Sequence, residues 1–407
     1  MLRCGLLGKT LGHSYSPAIH RRLGDYSYVL FEKAEDELDG FLRSGDFDGL
    51  NVTIPYKKAV VPYCAALSPA AKALGSVNTI VRRPDGTLYG DNTDLAGFLY
   101  MVKCSGVAVA GEKALVLGSG GASVTVVEAL RQLGAREVVV ISRSGENNYE
   151  NLDRHRDAAL IVNTTPVGMY PNNGKAALSL DGFPNLRGVL DVVYNPARTA
   201  LILDAERRGI PCLSGLRMLV AQAKASAGQF TGTEIPDSRV EEIFRELSAE
   251  TGNIVLVGMP GSGKSAVGRA VAEALGRPFL DADREIVRAA GMEIPEIFAT
   301  RGEGTFRDLE SRVLAELGKK SGCVIATGGG SVLREENYDS LHQNGTIFWI
   351  QRNLNVLPRD GRPLSRNANL AAMYEARKPR YERFADHAVN NDGPLADTVR
   401  RILNAVR

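Results

Sequence analysis

The sequence has few cysteines and histidines, and neither residue type is arranged as a metal or disulfide framework. The five histidines never pair at the spacing of one helix face, so we expect no histidine-ligated metal site. Without any C-x-x-C, a disulfide scaffold or thiolate metal site is not indicated, and a reducing cytoplasm is the expected compartment. The five cysteines are scattered: Cys4, Cys64, Cys104, Cys212 and Cys323.

The chain also lacks a long apolar run and a charge imbalance. Its start, MLRCGLLGKTLGHS, is interrupted by Lys9 and by glycines, and no uninterrupted apolar run reaches membrane-spanning length. We therefore expect neither export nor a membrane anchor. The formal net charge of +2 gives no indication of a nucleic-acid partner, so small-molecule substrates are expected.

What is present is the composition of a multidomain α/β protein. The 407 residues exceed the size at which one hydrophobic core stops growing, and they include 43 glycines. Short apolar strands alternate with helical stretches in the first hundred residues, and the same alternation resumes twice further on. This pattern predicts two or three α/β domains.

A glycine turn between the strand ALVL and a helix predicts a dinucleotide site. Glycine there lets the backbone approach a pyrophosphate at the helix N-terminus, although a plain strand–helix turn remains an alternative because Ser123 replaces the third glycine of G-x-G-x-x-G. The turn consists of Gly118, Ser119, Gly120, Gly121 and Ala122.

The end of the next strand favours NADP over NAD. An NAD site usually carries an acidic residue there, whereas this chain has Ser142, Arg143 and Ser144, and a guanidinium flanked by hydroxyls suits a 2′-phosphate. Glu146 follows closely and puts the strength of this preference in question. The short segment SRSGENNYENLDRHRDAALIVN also predicts a trimmed nucleotide domain.

A second phosphate-binding motif lies late in the chain. Residues 258–265, GMPGSGKS, satisfy G-x-x-x-x-G-K-[ST] and stand between the strand NIVLVG and the helix SAVGRAVAEAL. Backbone N–H groups would wrap the phosphates, Lys264 would reach the β- and γ-phosphates, and Ser265 would ligate Mg²⁺. This motif leaves the nucleotide and the acceptor open.

The first half resembles shikimate dehydrogenase in successive blocks: GHSYSPAIH (12–20), NVTIPYKK (51–58), GSVNT (75–79), GDNTDLAG (90–97), NTTPVGM (163–169), DVVYNPARTAL (191–201) and GLRMLVAQA (215–223). The resemblance implies that Lys57 and Asp94 form the catalytic pair. Independently, a lysine ammonium beside a carboxylate can protonate a forming alkoxide during ketone reduction. Thr164 and Met218 would adjoin NADP. The resemblance further implies that the substrate carboxylate is held by Ser14 and Ser16, and that its hydroxyls and ring are contacted by Thr53, Asn78, Tyr194 and Gln222.

The last part resembles shikimate kinase in the blocks PFLDADREI (278–286), GEGTFRDLE (302–310), ATGGGSVL (326–333), GRPLS (361–365) and ARKPRYE (376–382). By that likeness Asp281 helps to hold Mg²⁺, and Asp283 accepts the proton of the attacking hydroxyl or orients it. Arg307, Arg377 and the backbone of Gly328, Gly329 and Gly330 would bind the substrate. The residues that would bind ATP in and beside the phosphate loop are Gly258, Gly261, Ser262, Gly263, Lys264, Ser265 and Ala266. Arg362 would also bind ATP, from a rather short lid that carries Ser365.

Together these resemblances imply one bifunctional protein. It would reduce 3-dehydroshikimate to shikimate with NADPH and then phosphorylate shikimate with ATP and Mg²⁺, as a monomer or homodimer. The alternatives are a dehydrogenase with a nucleotide-binding regulatory module that lacks kinase turnover, and a first half that prefers quinate. The expected domains are an α/β substrate domain over 1–105, completed by a helix near 215–232, and a Rossmann-type NADP-binding domain over 106–214. A closing helix and linker over 233–252 and a P-loop kinase domain with a parallel sheet over 253–407 would follow.

Overall fold

The computed structural model describes residues 1–12, 14–357 and 370–406. The chain forms two compact units. The first comprises 1–168, 176–194 and 204–246, and the second comprises 169–175, 195–203 and 247–407. Arg362 and Ser365 lie outside the described residues.

A six-stranded mixed sheet opens the first unit, in the order β2-β1-β3-β5-β6-β4. Its strands are β1 Arg3–Gly8, β2 Ser27–Glu32, β3 Gly49–Val52, β4 Ala66–Leu67, β5 Thr79–Arg82 and β6 Leu88–Asp91. The helices of this region are α1 Ser16–Leu23, α2 Leu38–Ser44, α3 Pro69–Leu74 and α4 Asp94–Ser105. Strand β3 is buried throughout and leads directly into the segment that carries Lys57.

The second sheet of the first unit is parallel, in the order β11-β10-β9-β7-β8. Between β8 and β9 the chain makes only a short 3₁₀ turn, Leu152–His155, which agrees with the trimmed nucleotide domain predicted above. The elements are β7 Lys113–Leu117, α5 Gly121–Gln132, β8 Glu137–Ile141, β9 Leu160–Asn163, β10 Gly188–Asp191, α6 Ala200–Arg207, β11 Cys212–Ser214 and α7 Leu216–Thr231.

Helix α8, Asp237–Thr251, follows α7. Its N-terminal part is docked on the first unit, because Asp237 pairs with Lys103 at 3.1 Å and with Lys224 at 2.7 Å, and Glu241 pairs with Arg217 at 3.2 Å. Residues 237–246 are therefore a docked helix and not a flexible tether.

The second unit contains a five-stranded parallel sheet in the order β13-β14-β12-β15-β16. The central strand reads NIVLV and is buried at every position, as expected for a parallel strand covered on both faces. The strands are β12 Asn253–Val257, β13 Phe279–Asp281, β14 Val324–Ala326, β15 Gly345–Gln351 and β16 His387–Asn390. The helices are α9 Lys264–Leu275, α10 Ala282–Ala290, α11 Ile294–Gly318, α12 Glu336–His342, α13 Leu370–Phe384 and α14 Leu395–Ala405.

These sheets confirm the predicted α/β class with parallel-sheet domains. The carboxyl ends of β12, β13 and β14 lie at one edge of their sheet and lead into the phosphate loop, Asp281 and the glycine triad. Ligands of open parallel sheets bind outside this edge. Among the described helices, none combines the length and apolar character that a bilayer crossing requires.

Candidate active sites

Lys57 and Asp94 meet in the first unit. The Lys57 Nζ lies 2.5 Å from Asp94 Oδ2, and the two side chains are 31% and 19% exposed, so the pair is accessible from solvent yet partly desolvated. Asp94 is the first residue of α4, where the helix dipole favours a carboxylate. The backbone N–H of Val77 donates to the Lys57 carbonyl at 2.7 Å, which brings the lysine segment beside the strand that follows Asn78.

Two further predicted substrate contacts adjoin this pair. Asn78 donates from Nδ2 to Asp94 Oδ1 at 2.9 Å. Gln222, on α7, donates from Nε2 to the Leu219 carbonyl at 2.9 Å, and its Oε1 lies 3.5 Å from the Thr93 hydroxyl. Lys57, Asp94, Asn78 and Gln222 thus come from four separate segments to one place.

The predicted carboxylate-binding serines lie in a second cluster of contacts. The backbone N–H of Ser16 donates to Ser14 Oγ at 3.2 Å. The ring of Tyr15, between the two serines, packs 5.4 Å from the ring of Tyr194. Burial raises the pKa of the Tyr194 phenol, which therefore remains protonated and able to donate.

Thr53 follows β3 directly and begins the turn that leads to Lys57. Its backbone N–H donates to the Leu7 carbonyl at 2.9 Å, and its carbonyl accepts from Tyr56 N at 2.9 Å. The short turn from Thr53 to Tyr56 leads to Lys57, so its geometry helps to place the ammonium.

The glycine turn after β7 has the geometry of a nucleotide cradle. Gly118 has φ 103°, and a Cβ there would lie 2.9 Å from Thr165 Cγ2 and 3.0 Å from Thr164 Oγ1, so a larger residue would be strained. Gly120 and Gly121 open α5, and a Cβ on either would meet no neighbouring atom within 4 Å. The helix N-terminus is therefore open to an anionic group, which fits a dinucleotide pyrophosphate.

The predicted 2′-phosphate residues lie beside that turn. Gly118 N donates to the Ile141 carbonyl at 2.8 Å, which places Ser142, Arg143 and Ser144 at the same sheet edge. Arg143 and Ser144 are exposed there. Thr164 donates from Oγ1 to the Leu117 carbonyl at 2.7 Å, at the end of β7. Met218 lies next to α4, because a Cβ on Gly97 would approach the Met218 carbonyl to 2.7 Å.

In the second unit the phosphate loop connects β12 to α9. Lys264 is buried and donates from Nζ to the carbonyls of Gly258 and Met259 at 2.9 and 3.0 Å. Asn391 supports the loop by donating from Nδ2 to the Ser262 carbonyl at 2.8 Å. The loop is thus held by its own lysine and by the residue that follows β16.

Ser265 and Asp281 form an oxygen donor set next to this loop. Ser265 Oγ donates to Asp281 Oδ2 at 2.9 Å, and Asp281 also caps α10 by accepting from Asp283 N at 3.2 Å. No group of three or more His, Cys, Asp or Glu side chains among the described residues could hold a metal by itself. One hydroxyl and one carboxylate nevertheless fit Mg²⁺, which keeps several waters and takes few protein ligands.

A cavity of about 680 Å³ lies next to the phosphate loop. Its lining brings together residues predicted for ATP and residues predicted for the substrate. Arg307 and Arg377 are both buried and both line it. The other predicted residues in the wall are Gly261, Gly263, Lys264, Ser265, Ala266, Asp283, Gly328, Gly329 and Gly330.

The glycine triad packs directly against the charged wall of this cavity. A Cβ on Gly330 would collide with the guanidinium of Arg307, and one on Gly328 would lie 2.7 Å from Glu310 Oε1. The Gly329 carbonyl accepts from Arg377 Nη1 at 2.9 Å and from Tyr381 Oη at 2.7 Å. A side chain at Gly330 would therefore require Arg307 to move, and α13 holds the carbonyl of Gly329.

Comparisons with known proteins agree with this architecture. A family model described as shikimate dehydrogenase substrate binding domain matches residues 6–80, and one described as shikimate kinase matches residues 260–407. Shikimate dehydrogenase (NADP(+)) of Clostridium perfringens is 35% identical over 264 residues, which cover 60% of this chain and 97% of that relative. The chain belongs to the shikimate dehydrogenase family.

Solved structures give the same result for the shikimate dehydrogenase part. A chorismate mutase/shikimate 5-dehydrogenase fusion protein from Clostridium acetobutylicum is 33% identical with a TM-score of 0.58, covering 60% of this chain and 96% of that one. Shikimate 5-dehydrogenase from Thermus thermophilus, in complex with NADP(H) and shikimate, is 33% identical with a TM-score of 0.55, covering 60% of this chain and 99% of that one.

Three charged residues in the wall of the kinase-like cavity, Arg284, Glu293 and Glu310, were not predicted from the sequence. Glu310 is 1% exposed, and its Oε2 accepts from Arg307 Nη1 at 2.6 Å. Burial raises the pKa of this carboxyl despite the neighbouring guanidinium. Its position three residues after Arg307 in GEGTFRDLE was the available signal, because residues three apart lie on one face of a helix.

The buried hydroxyls beneath the Lys57–Asp94 pair were also not predicted from the sequence. Thr79, Thr93 and Ser226 are almost completely buried and bond one another. Thr79 directly follows Asn78, and Thr93 directly precedes Asp94, in the quoted blocks. Ser226 stands in a helix of small residues, where nothing in the sequence distinguishes it from its neighbours.

Proposed function

We propose that the first unit reduces 3-dehydroshikimate to shikimate with NADPH. The observation that carries this proposal is the 2.5 Å contact between Lys57 Nζ and Asp94, with Asn78 bonded to the same carboxylate. NADPH, when bound, supplies the hydride that adds to the ketone carbon. Lys57 holds a proton at Nζ for the alkoxide oxygen, and Asp94 keeps the ammonium oriented towards it.

The substrate carboxylate is assigned to the other cluster of contacts. Ser14 and Ser16 offer hydroxyls, and the protonated phenol of Tyr194 lies beside them through its packing on Tyr15. Thr53, Asn78 and Gln222 complete the polar surface for the ring hydroxyls. Hydrogen bonds at both ends of the ring would fix the ketone relative to Lys57.

We infer that NADP is the preferred nucleotide. The related Clostridium perfringens enzyme is named for NADP(+), and the Thermus thermophilus structure contains NADP(H). In this chain the exposed Arg143 stands at the end of β8, next to the glycine turn, where a 2′-phosphate would lie. Its guanidinium can pair with the phosphate oxygens in a bidentate way.

We further propose that the second unit transfers the γ-phosphoryl group of ATP to the 3-hydroxyl of shikimate. This is supported by one cavity lined both by the phosphate loop and by Asp283, Arg307 and Arg377. The two guanidinium groups would bind the substrate carboxylate, and Asp283 would accept or orient the proton of the attacking hydroxyl. Ser265 and Asp281 would hold Mg²⁺, which neutralises phosphate charge.

The wider setting follows from this pairing of reactions. We propose that the protein acts in the cytoplasm, as a monomer or homodimer. Its proposed domains are those given above: 1–105 with the helix near 215–232, 106–214, 233–252 and 253–407. The product of the first reaction is the acceptor of the second, which gives a reason for one chain to carry both.

The test is product analysis by mass spectrometry after incubation with 3-dehydroshikimate, NADPH, ATP and Mg²⁺ together. Shikimate 3-phosphate is the expected product. Shikimate alone would mean that the second unit binds nucleotide without turnover, and an absence of product would overturn the first reaction. Quinate dehydrogenation measured in parallel would reveal whether the first unit prefers that polyol.

Two matched variants separate the reactions. Lys57→Met should abolish reduction while added shikimate is still phosphorylated, because the kinase cavity is lined by other residues. Lys264→Met should abolish phosphorylation and leave reduction unchanged. If one of these variants, folded as judged by circular dichroism, lost both activities, separate sites would be ruled out.

A further inference from the structure

Five polar side chains form a buried cluster beneath the Lys57–Asp94 pair. They are 0% to 5% exposed and come from β3, the start of β5, the start of α4 and α7. Polar groups removed from water destabilise a fold unless they are hydrogen-bonded, so this cluster has to be internally paired. Its members are Asn51, Asn78, Thr79, Thr93 and Ser226.

Ser226 is the centre of the cluster. Its hydroxyl lies 3.0 Å from the Gln222 carbonyl, 2.8 Å from Asn51 Nδ2, 2.9 Å from Thr79 Oγ1 and 3.0 Å from Thr93 Oγ1. A serine has one proton to donate. The Asn51 amide nitrogen donates to the Ser226 oxygen, the Gln222 carbonyl can accept the Ser226 proton, and in the contacts with Thr79 and Thr93 either hydroxyl can be the donor.

The cluster determines which way the Asn78 amide faces. Asn78 Oδ1 accepts from Thr93 N at 2.7 Å and lies 3.0 Å from Thr79 Oγ1 and 3.2 Å from Thr93 Oγ1. Because the Thr93 N–H donates to this oxygen, and a threonine hydroxyl can add a second bond to it, the amide nitrogen is left to donate to Asp94 at 2.9 Å. The opposite orientation would place two oxygens against each other at Asp94 and leave Thr93 N without an acceptor.

We propose that the Thr93 hydroxyl, supported by those of Thr79 and Ser226, is a positioning group that fixes the Asn78 amide and through it the Asp94–Lys57 pair. The proposal rests on the reduction proposed for the first unit. Thr93 acts from both its backbone N–H and its hydroxyl, and the same hydroxyl lies 3.5 Å from Gln222 Oε1. The cluster thus connects the catalytic pair with the α7 residue assigned to the substrate.

A purely structural role is the competing explanation. In that case the hydroxyls only join α7 to the sheet, and removing one would lower the free energy of unfolding without changing the folded enzyme's rate constants. A positioning role instead changes kcat/KM for 3-dehydroshikimate, because small displacements of a proton donor lower the rate steeply. The Michaelis constant for NADPH should not move, since the glycine turn is formed by other residues.

The experiment compares Thr93→Val, which removes the hydroxyl at nearly constant shape, with Thr93→Ser, which retains it. Thr125→Val, at a buried threonine of α5 outside the cluster, is the matched control. We expect Thr93→Val to lower kcat/KM for 3-dehydroshikimate by about tenfold or more, with KM for NADPH within about twofold of wild type. Thr93→Ser should restore most of the loss, and Thr125→Val should show none.

Two results would overturn the positioning role. One is a folded Thr93→Val enzyme with wild-type kcat/KM, and the other is an equal loss in Thr93→Ser. Should Thr93→Val fail to fold, Ser226→Ala decides: a several-fold fall of the same parameter supports the role, and an unchanged value contradicts it. Wild-type turnover is measured first, so a protein that makes no shikimate refutes the proposed reaction separately.

Discussion

The Arg307 guanidinium lies 2.6 Å from the Glu310 carboxylate, and both side chains are buried in the wall of the kinase-like cavity. Glu303 also pairs with Arg307, at 3.1 Å, but is more than half exposed. Breaking a buried ion pair by removing one partner leaves an uncompensated charge and costs about 3–5 kcal/mol. Glu310 therefore both positions Arg307 and balances its buried charge.

We predict that Glu310→Ala destabilises the second unit by a few kcal/mol and raises KM for shikimate. Glu310→Gln should do less, because its amide oxygen can still accept from Arg307. The single tryptophan, Trp349, lies in the core of this unit and gives a fluorescence signal for its unfolding. Equal stability of the alanine variant and wild type would show that Glu303 alone compensates Arg307.

Reduction by the first unit should be insensitive to either change. NADPH oxidation with 3-dehydroshikimate is the control measurement, because the described residues around Lys57 and Asp94 do not include Arg307 or Glu310. A parallel loss of both activities would mean that the variant unfolds the whole chain, and the kinetic comparison would then be made at lower temperature.

His20 predicts a pH dependence for the first unit. It is fully buried, its ring stacks at 3.9 Å on Tyr28, and burial lowers its pKa from about 6.5 to about 3. Between these values the unfolded chain binds a proton that the folded chain does not, so stability falls as the pH decreases. The contribution of neutral His20 to the free energy of unfolding is complete above the pKa of the unfolded state and is lost progressively towards pH 3.

The measurement is hydrogen exchange of β1 and β3 peptides between pH 7 and pH 4, corrected for intrinsic exchange rates. Wild type should lose protection as the pH falls through the histidine range. His20→Phe keeps a ring in the stack and removes the titrating group. The variant should be less stable than wild type at pH 7, but its stability should fall less between pH 7 and pH 4. The same slope in both proteins would show that carboxylates, and not His20, cause the loss.

The residues that could be predicted from sequence are those carried by local motifs. Lys57, Asp94, Lys264, Ser265 and Asp281 stand in short blocks whose spacing reflects a turn or a helix start. Hydrogen bonds between distant segments left no such trace. Thr79 and Ser226 are 147 positions apart, and their contact depends on the packing of α7 against the sheet.

The same distinction applies to the fold. Alternating strands and helices predicted parallel sheets because each crossover helix has to cover a sheet face. The strand order of the first sheet, with β4 at its edge beside β6, depends on non-local pairing and could not be derived from the pattern. The spacing of the kinase-like blocks likewise could not reveal that Gly330 approaches Arg307 directly.

Removal of magnesium should separate the two activities. A chelator should abolish phosphorylation and leave reduction intact, since the proposed Mg²⁺ ligands, Ser265 and Asp281, lie in the second unit. Asp281→Asn keeps an oxygen that can cap α10 but removes the charge. It should raise the Mg²⁺ concentration for half-maximal phosphorylation by about tenfold or more. An unchanged Mg²⁺ requirement would exclude Asp281 from the metal site.

Tyr381 gives the last prediction, because its hydroxyl and Arg377 share one acceptor, the Gly329 carbonyl. The ring is buried and stacks on Trp349 at 5.6 Å, and burial raises the pKa of the phenol to about 12, so it donates throughout the working pH range. Tyr381→Phe removes only the donor. Losing a hydrogen bond of about 1 kcal/mol corresponds to roughly a fivefold change in binding.

We therefore expect Tyr381→Phe to raise KM for shikimate several-fold and KM for ATP by less, because the triad packs on Arg307, a residue proposed to bind the substrate, whereas Lys264 and Asn391 hold the phosphate loop. Tyr374→Phe, on the same helix and also near Trp349, is the matched control and should change neither constant. Steady-state kinetics with each substrate varied in turn separates the two constants. If both variants raised KM for shikimate equally, the effect would come from repacking around Trp349, and the Tyr381 hydroxyl would have no part in placing the triad.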